Sequence, residues 1–563
     1  MDILSKEKGK KAVLLGNEAI VRGALESGVQ FVSTYPGTPA SEVGNIFAKI
    51  AKSAKVYFEF STNEKAALEA GIGASLAGLK TLTAMKHFGV NVCADSLMPF
   101  CYTGTNGPFL LFVADDPSCW SSGQSEQNSR GYSYLAHIPT LEPSEPQECL
   151  DFVKYGFELS EKFKIPVMLR GTTRVSHQSA QVRLSEIKKG QNRAFEINPQ
   201  RFVTMPPGVL RMKKELFEKL AKIKKTAEKS PLNKVYNLKA LKKEKIGIVA
   251  SGVSFLYVME ALKDLGLSLP VLKLGFFYPL PEEKIKGFIK GLKKVLVVEE
   301  LEPYLEKEIK ILAKEANPRL EVLGKELLPE IGELKPETVI LAIAKLAKKK
   351  TGFDFSAHLL KFNKVKFLKR LPQLCTAKIA PPGCPYWSVF SALKKAIHGK
   401  NVVIGGDIGC YMIGALPPHN LYNYMYCMGS SLGIAHGLKK AGKEKVIALI
   451  GDSTFFHAGI PALVNAVFNK SNPLIIIMNN EITAMTGHQP HPGMGRNGMG
   501  EGTAPVKIEE IVSACGVKNL KIIDPHRIKE MTQTIKEYLE KKEVSVIIAR
   551  RMCALLANRL KKK

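Results

Sequence analysis

The sequence predicts an α/β fold made of three doubly wound parallel-sheet domains, and three observations carry that expectation. Short apolar runs recur along the chain, each ending in a polar or glycine-bearing turn that leads into a stretch of helical spacing. The clearest instance is Val446–Gly493, where the runs Val446–Ile450 and Leu474–Met478 flank a helical stretch, Ala458–Asn469. Finally, at 563 residues the chain is too long for one hydrophobic core and must divide. Strand, crossover helix and parallel strand make a βαβ unit, which sets strand carboxyl ends side by side. Ligands of such sheets bind there, so the turns after the strands are the residues to read.

In chain order, Ala12–Leu15 leads into Gly16-Asn17-Glu18, and Phe31–Ser33 into Thr34-Tyr35-Pro36-Gly37-Thr38-Pro39. Phe58–Phe60 leads into Thr62-Asn63-Glu64 and the helix Lys65–Leu79, and Phe109–Val113 into Asp115-Asp116-Pro117. On chemistry alone Glu64 reads as a carboxylate favouring a helix N-terminus, and Thr38 as part of a Gly-Pro turn. Asp115, Ser122 and Arg130 read as polar lining. The lysine-rich stretch 180–232, with an amphipathic helix near Arg211–Lys229, reads as a connector. The α/β rhythm returns at 246–252 (IGIVASG), 270–275 (PVLKLG) and 295–300 (VLVVEE), and 348–370 is a basic linker. No internal repeat or low-complexity tract breaks this order.

The chain carries 81 Lys and Arg against 52 Asp and Glu, a formal charge of +29. The excess lies in lysine-rich stretches such as Lys213–Lys229 and Lys561–Lys563, without arginines and aromatics interleaved on one element. It reads as a solvated surface that attracts anions, not as a nucleic-acid face. The amino terminus lacks a signal-peptide core, and no run approaches the ~18 apolar residues of a membrane span. A cytoplasmic location is expected. The ten cysteines include no Cys-x-x-Cys pair, so a disulfide framework is not expected.

In the last domain, Gly405–Gly409 and Met428–Gly433 are glycine-bearing turns whose amides could approach a diphosphate, with Gly429 the candidate contact. The two strand ends of Val446–Gly493 carry Gly451-Asp452-Ser453 and Asn479-Asn480. A hard divalent cation takes oxygen ligands, and an Asp, an Asn and a nearby backbone carbonyl meet that need. His457, His488 and His491 read as polar lining of a pocket, since no Cys or carboxylate completes a zinc set beside them.

The dipeptides resemble the thiamine-diphosphate signature, with Ser453 in place of its last glycine. The longer string GDSTFFHAGI…NNEITAMTGHQPHPG resembles the large (alpha) subunit of the indolepyruvate ferredoxin oxidoreductase family. So do TYPGTPASE (34–42), NEKAALEAGIGASLAGLKTLTAMKHFGVNVCAD (63–95) and ADDPSCWSSGQSEQNSR (114–130), and the resemblance spans nearly the whole chain. It implies a pyrimidine-binding domain over 1–185, a connector over 186–240, a transketolase C-terminal-like domain over 241–347, and a diphosphate- and Mg2+-binding domain over 371–563. The resemblance further implies Glu64 as the carboxyl that bonds the aminopyrimidine and lets it remove the C2 proton. Thr38 would bind substrate or cofactor. Asp452, the side chain of Asn480 and the main-chain oxygen of Ile482 would hold Mg2+, with Gly429, Gly451 and Ser453 beside the cofactor.

The same resemblance implies oxidative decarboxylation of an aryl 2-oxoacid, indolepyruvate in type, to an acyl-coenzyme A. The electrons would pass to ferredoxin, and a small beta subunit is the expected partner, without nucleic acid or membrane. Such enzymes use a [4Fe-4S] cluster held by thiolates. Cys384, Cys410 and Cys553 stand at three of the family's ligand positions, but Pro381 stands at another, with Cys375 a conceivable substitute. The family's ferredoxin-like extension, rich in closely spaced cysteines, is not found before Lys563. Two alternatives stay open on these residues: a non-oxidative thiamine-diphosphate-dependent decarboxylase, and a cofactor-binding scaffold without turnover. The retained Glu64, Asp452 and Asn480 speak against the scaffold.

Overall fold

The computed structural model describes residues 2–121, 123–191, 194–195, 197–347 and 383–561. Ser122, Cys375, Pro381 and the basic stretch 348–370 therefore lie outside the described residues. The chain forms two compact units. The first runs to Phe58 and resumes at Glu64, and the second takes in Glu59–Asn63 and the described residues from 383 onward. No helix among the described residues is long and apolar enough to cross a membrane.

The first unit holds strands β1 (Lys11–Leu15), β2 (Phe31–Thr34), β3 (Tyr57–Phe60), β4 (Thr81–Lys86), β5 (Phe109–Asp115), β6 (Thr140–Leu141), β7 (Val167–Thr172) and β8 (Ser179–Arg183). They are followed by β9 (Asn233–Tyr236), β10 (Ile246–Ala250), β11 (Val271–Leu274), β12 (Phe276–Tyr278), β13 (Lys294–Val298) and β14 (Glu321–Leu323). One sheet has the order β12-β6-β7-β5-β4-β2-β3, with β12 antiparallel to β6. A second has the order β14-β13-β10-β11-β9, with β9 antiparallel at its edge. Both otherwise follow the parallel, doubly wound pattern. The seven residues of β5 are all buried, as a strand covered by helices on both faces must be.

One sequence expectation is corrected here. Ala12–Leu15 does not open the large sheet: β1 pairs antiparallel with β8 in a separate two-stranded ribbon. Its burial alternates, with Val13 71% exposed, which suits a ribbon with one wet face and not a sheet interior. Asp115 and Arg130 lie inside a buried ion network, and Arg130 lines a small cavity with Glu142 and Arg170. Arg130 binds Glu142 (2.6 Å) and Glu299, and Arg170 binds Asp115 (2.7 Å) and Glu142 (3.1 Å). Ser251 also donates to Glu142, so the network joins the two sheets of this unit. Burial alone would raise the Glu142 carboxyl, yet Arg130 and Arg170 bring it down to about 2.

The second unit holds β15 (Val402–Gly405), β16 (Lys445–Gly451), β17 (Leu474–Asn479), β18 (Asn519–Ile523) and β19 (Ser545–Arg550), ordered β15-β16-β17-β19-β18 and parallel throughout. β17 shows why an unbroken apolar run is a strand here. Leu474, Ile476 and Met478 pack on one core, with Phe390 and Leu393, while Ile475 and Ile477 pack on the other, with Leu432 and Leu463. Each such side chain contributes roughly 1.5–3 kcal/mol on burial, and the sum fixes the strand that carries Asn480 at its end.

Candidate active site

In the first unit, the turn after β2 carries Thr38, β4 ends in Lys86, and Glu64 opens the helix Glu64–Leu76. The turn after β2 is tied down by the Ala40 amide on the Gly37 carbonyl (2.8 Å) and by the Asn17 amide on the Pro39 carbonyl (2.7 Å). Thr38 sits in that turn, half-buried, its Oγ1 3.3 Å from Ser41 Oγ. Glu64 is the first residue of its helix and only 5% exposed. Its side chain lies on the first turn of the helix His87–Thr103: a Cβ added to Gly89 would stand 2.5 Å from Glu64 Cγ. The side chain of Lys86, the last residue of β4, passes over the turn, its Cγ and Cδ 2.8 Å from where a Gly37 Cβ would be. Neither Lys86 nor Gly89 was singled out by spacing, because an ordinary strand end and an ordinary small helical residue look the same in sequence.

In the second unit, Asp452 stands immediately after β16 and Asn480 immediately after β17, and both are almost fully buried. Asp452 Oδ2 accepts the amides of Asn480 (3.1 Å) and Glu481 (2.8 Å), and Oδ1 accepts the amide of Ser453 (2.8 Å). Asn480 Oδ1 accepts the Ile482 amide (3.2 Å), and Thr483 Oγ1 bonds Ser453 Oγ (2.9 Å). The Gly-Asp and Asn-Asn segments are thus stitched into one loop pair. The side chains of Asp452 and Asn480 and the carbonyl of Ile482 are hard oxygen donors on neighbouring backbone, a set suited to a small divalent cation and to no soft one. A single π turn, Phe455–Gly459, follows Asp452, a feature that recurs at functional sites.

Three further features could not be read from the sequence. His491, expected only as pocket lining, puts Nε2 3.2 Å from Asp452 Oδ2 and steadies the carboxylate itself. Gly429, at φ +87°, begins the helix Ser430–Ala441, and its amide and that of Ser431 both point at Asp407 (2.9 and 3.2 Å). As they stand, these two amides serve Asp407 and not an outside diphosphate. Burial pushes the Asp407 carboxyl up to about 7 in spite of them. Glycine is required at 451, because a Cβ there would lie 2.7 Å from Tyr411 Cε1.

Cys384 caps the helix Pro385–Ile397, Cys410 opens the 3-10 turn Cys410–Ala415, and both pack against the core that holds Tyr386. Cys553 donates its amide to the Asn480 carbonyl (3.0 Å), with Sγ 4.0 Å from His488 Nε2. Among the described residues, no three His, Cys, Asp or Glu side chains are gathered to hold a metal ion. The three thiols therefore do not form a cluster site by themselves in this structure.

Family models match most of the chain. That for pyruvate flavodoxin/ferredoxin oxidoreductase, thiamine-diphosphate-binding, matches residues 22–229; the indolepyruvate oxidoreductase domain matches 237–356; and the C-terminal thiamine-pyrophosphate-binding domain matches 407–549. Indolepyruvate oxidoreductase subunit IorA of Methanothermobacter marburgensis is 44% identical over 98% of this chain and 88% of its own length. The IorA subunit of Pyrococcus horikoshii is 43% identical over 98% and 87%. A solved 2-oxoglutarate:ferredoxin oxidoreductase from Magnetococcus marinus overlaps loosely, with a TM-score of 0.49, 18% identity, and 60% of this chain and 65% of that one covered. With this identity maintained along almost its whole length, the chain belongs to the indolepyruvate oxidoreductase IorA family of thiamine-diphosphate-dependent 2-oxoacid oxidoreductases.

Proposed function

We propose that the chain performs the oxidative decarboxylation of an aryl 2-oxoacid to its acyl-coenzyme A, with a small second subunit and with ferredoxin as electron acceptor. The observation that supports this reading is the buried Asp452 carboxylate, which accepts the amides of Asn480 and Glu481 and so ties the two strand ends together. The donor set fits Mg2+, with Asp452, Asn480 and the Ile482 carbonyl as ligands and with phosphate and water completing the shell. Thiamine diphosphate, when bound, supplies a carbon nucleophile for the 2-oxoacid carbonyl and a sink for the electrons left by departing CO2.

The chain's own residues do the rest. Glu64 would hydrogen-bond the aminopyrimidine ring nitrogen, the contact that would make the exocyclic nitrogen basic enough to take the C2 proton. Its side chain is almost fully buried against Gly89. Thr38 would offer a hydroxyl to the substrate from a turn held by the Ala40 and Asn17 amides. Cys384, Cys410 and Cys553 are the thiols that would ligate a [4Fe-4S] cluster, with a further ligand supplied from elsewhere. The non-oxidative decarboxylase is not favoured, because the IorA relatives named above, matched along nearly the whole chain, are oxidoreductase subunits.

Calorimetry tests the cofactor half directly. Thiamine diphosphate is expected to bind the wild-type chain in Mg2+ and to give no heat after chelation. Equal binding with and without the metal would contradict the ligand set.

A further inference from the structure

We propose that Lys86 is the residue that binds the carboxylate of the 2-oxoacid, an assignment that rests on the function proposed above. Lys86 ends β4, at the strand-end crevice where Thr38 and Glu64 stand. Its methylenes lie along the backbone of Gly37, next to Thr38, and the helix that begins one residue later carries Gly89, the notch for Glu64. One strand end therefore borders both the turn that carries Thr38 and the helix start that receives Glu64.

The ammonium is under-used where it stands. Among the described residues it makes no ion pair, its one hydrogen bond is a long one to the Ser121 carbonyl (3.5 Å), and it lies 4.8 Å from the centroid of the Phe88 ring. The nearby Asp116 is already engaged: Oδ2 accepts from the amide (2.8 Å) and Oγ (3.1 Å) of Ser121, and Oδ1 from Thr173 Oγ1 (2.6 Å). A partly buried lysine usually finds a carboxylate partner, because losing water around an unpaired ammonium is costly. Burial pushes this one down to about 8, with Asp116 and Glu64 acting against that only from a distance. An incoming carboxylate restores what the fold leaves out. A 2-oxoacid brings one, directly bonded to the carbonyl carbon that must reach the thiazolium.

Lysine is suited to this task because it holds the carboxylate as a point charge and can release it. The carboxylate leaves as CO2, so a bidentate clamp would resist the step it has prepared. After CO2 has left, the ammonium again lacks a partner, which favours entry of a second anion.

The test uses the full chain with its copurifying subunit, phenylpyruvate as substrate, and phenylacetone, which has the same ring and carbonyl but no carboxylate. Lys86→Met is expected to raise KM for phenylpyruvate on the order of 10- to 100-fold, the effect of losing one charge-assisted hydrogen bond, with kcat little changed. Lys86→Arg should recover most of the loss. By calorimetry the wild type should prefer phenylpyruvate to phenylacetone and the Met variant should not, while thiamine diphosphate affinity and the unfolding temperature stay as in the wild type. An unchanged KM in the Met variant of an active enzyme overturns the assignment alone, and so does a variant whose loss is in thiamine diphosphate affinity. A wild type that turns over no 2-oxoacid overturns the functional reading and this assignment together.

Discussion

Glu64→Gln is expected to keep the cofactor and lose turnover by roughly 10²- to 10⁴-fold, the usual contribution of a placed proton-transfer group. Gln has nearly the shape of Glu, so the contact with Gly89 survives and the fold should be untouched. What the amide cannot do is give and recover the proton on the ring nitrogen. The readout that isolates this is hydrogen–deuterium exchange at C2 of bound thiamine diphosphate, followed by NMR. Slow exchange in the variant, with unchanged cofactor affinity, is the expected pattern. Exchange at the wild-type rate would reduce Glu64 to a helix-start carboxylate, the reading its position at the head of the helix Glu64–Leu76 also allows.

Asp452→Ala is expected to abolish metal-dependent binding of thiamine diphosphate, because Asp452 provides both a metal ligand and the acceptor that shapes the Asn480–Ile482 loop. Removing it leaves the buried amide of Asn480 without its acceptor, at a cost of about 1–3 kcal/mol, and leaves the Glu481 amide only Asn479 Oδ1 (3.1 Å), so a lower unfolding temperature accompanies the loss. Asp452→Asn separates the two effects. Its Oδ keeps an acceptor for the loop but gives up the anionic ligand, so stability should largely return while cofactor affinity stays low. Undiminished affinity in both variants would place the metal elsewhere.

How legible these features were depended on whether they are local. β16 and β17 could be read to within a residue or so, since runs such as Leu474–Met478 are buried on both faces and contain nothing polar. The stitching of Asp452 to Asn480 followed from the crossover rule alone. β1 was misplaced because a period-2 run has the same appearance in a ribbon and in an open sheet, and only its pairing with the distant β8 distinguishes them. Asp115 and Arg130 read as lining, and their ion network was not legible. Their partners Glu142, Arg170 and Glu299 come from other strands and a second sheet, and no spacing rule connects them. The importance of Lys86, Gly89 and His491 lies in what packs against them, which a single sequence does not contain.

The most direct measurement is turnover after anaerobic purification with iron analysis: indolepyruvate, coenzyme A and a viologen dye are supplied together, and dye reduction is followed with each omitted in turn. The expected result is dye reduction that needs the 2-oxoacid, coenzyme A, thiamine diphosphate and Mg2+, in a preparation that contains iron. Release of CO2 and the free aldehyde without coenzyme A, from an iron-free protein that leaves the dye oxidised, would contradict the account in favour of a simple decarboxylase.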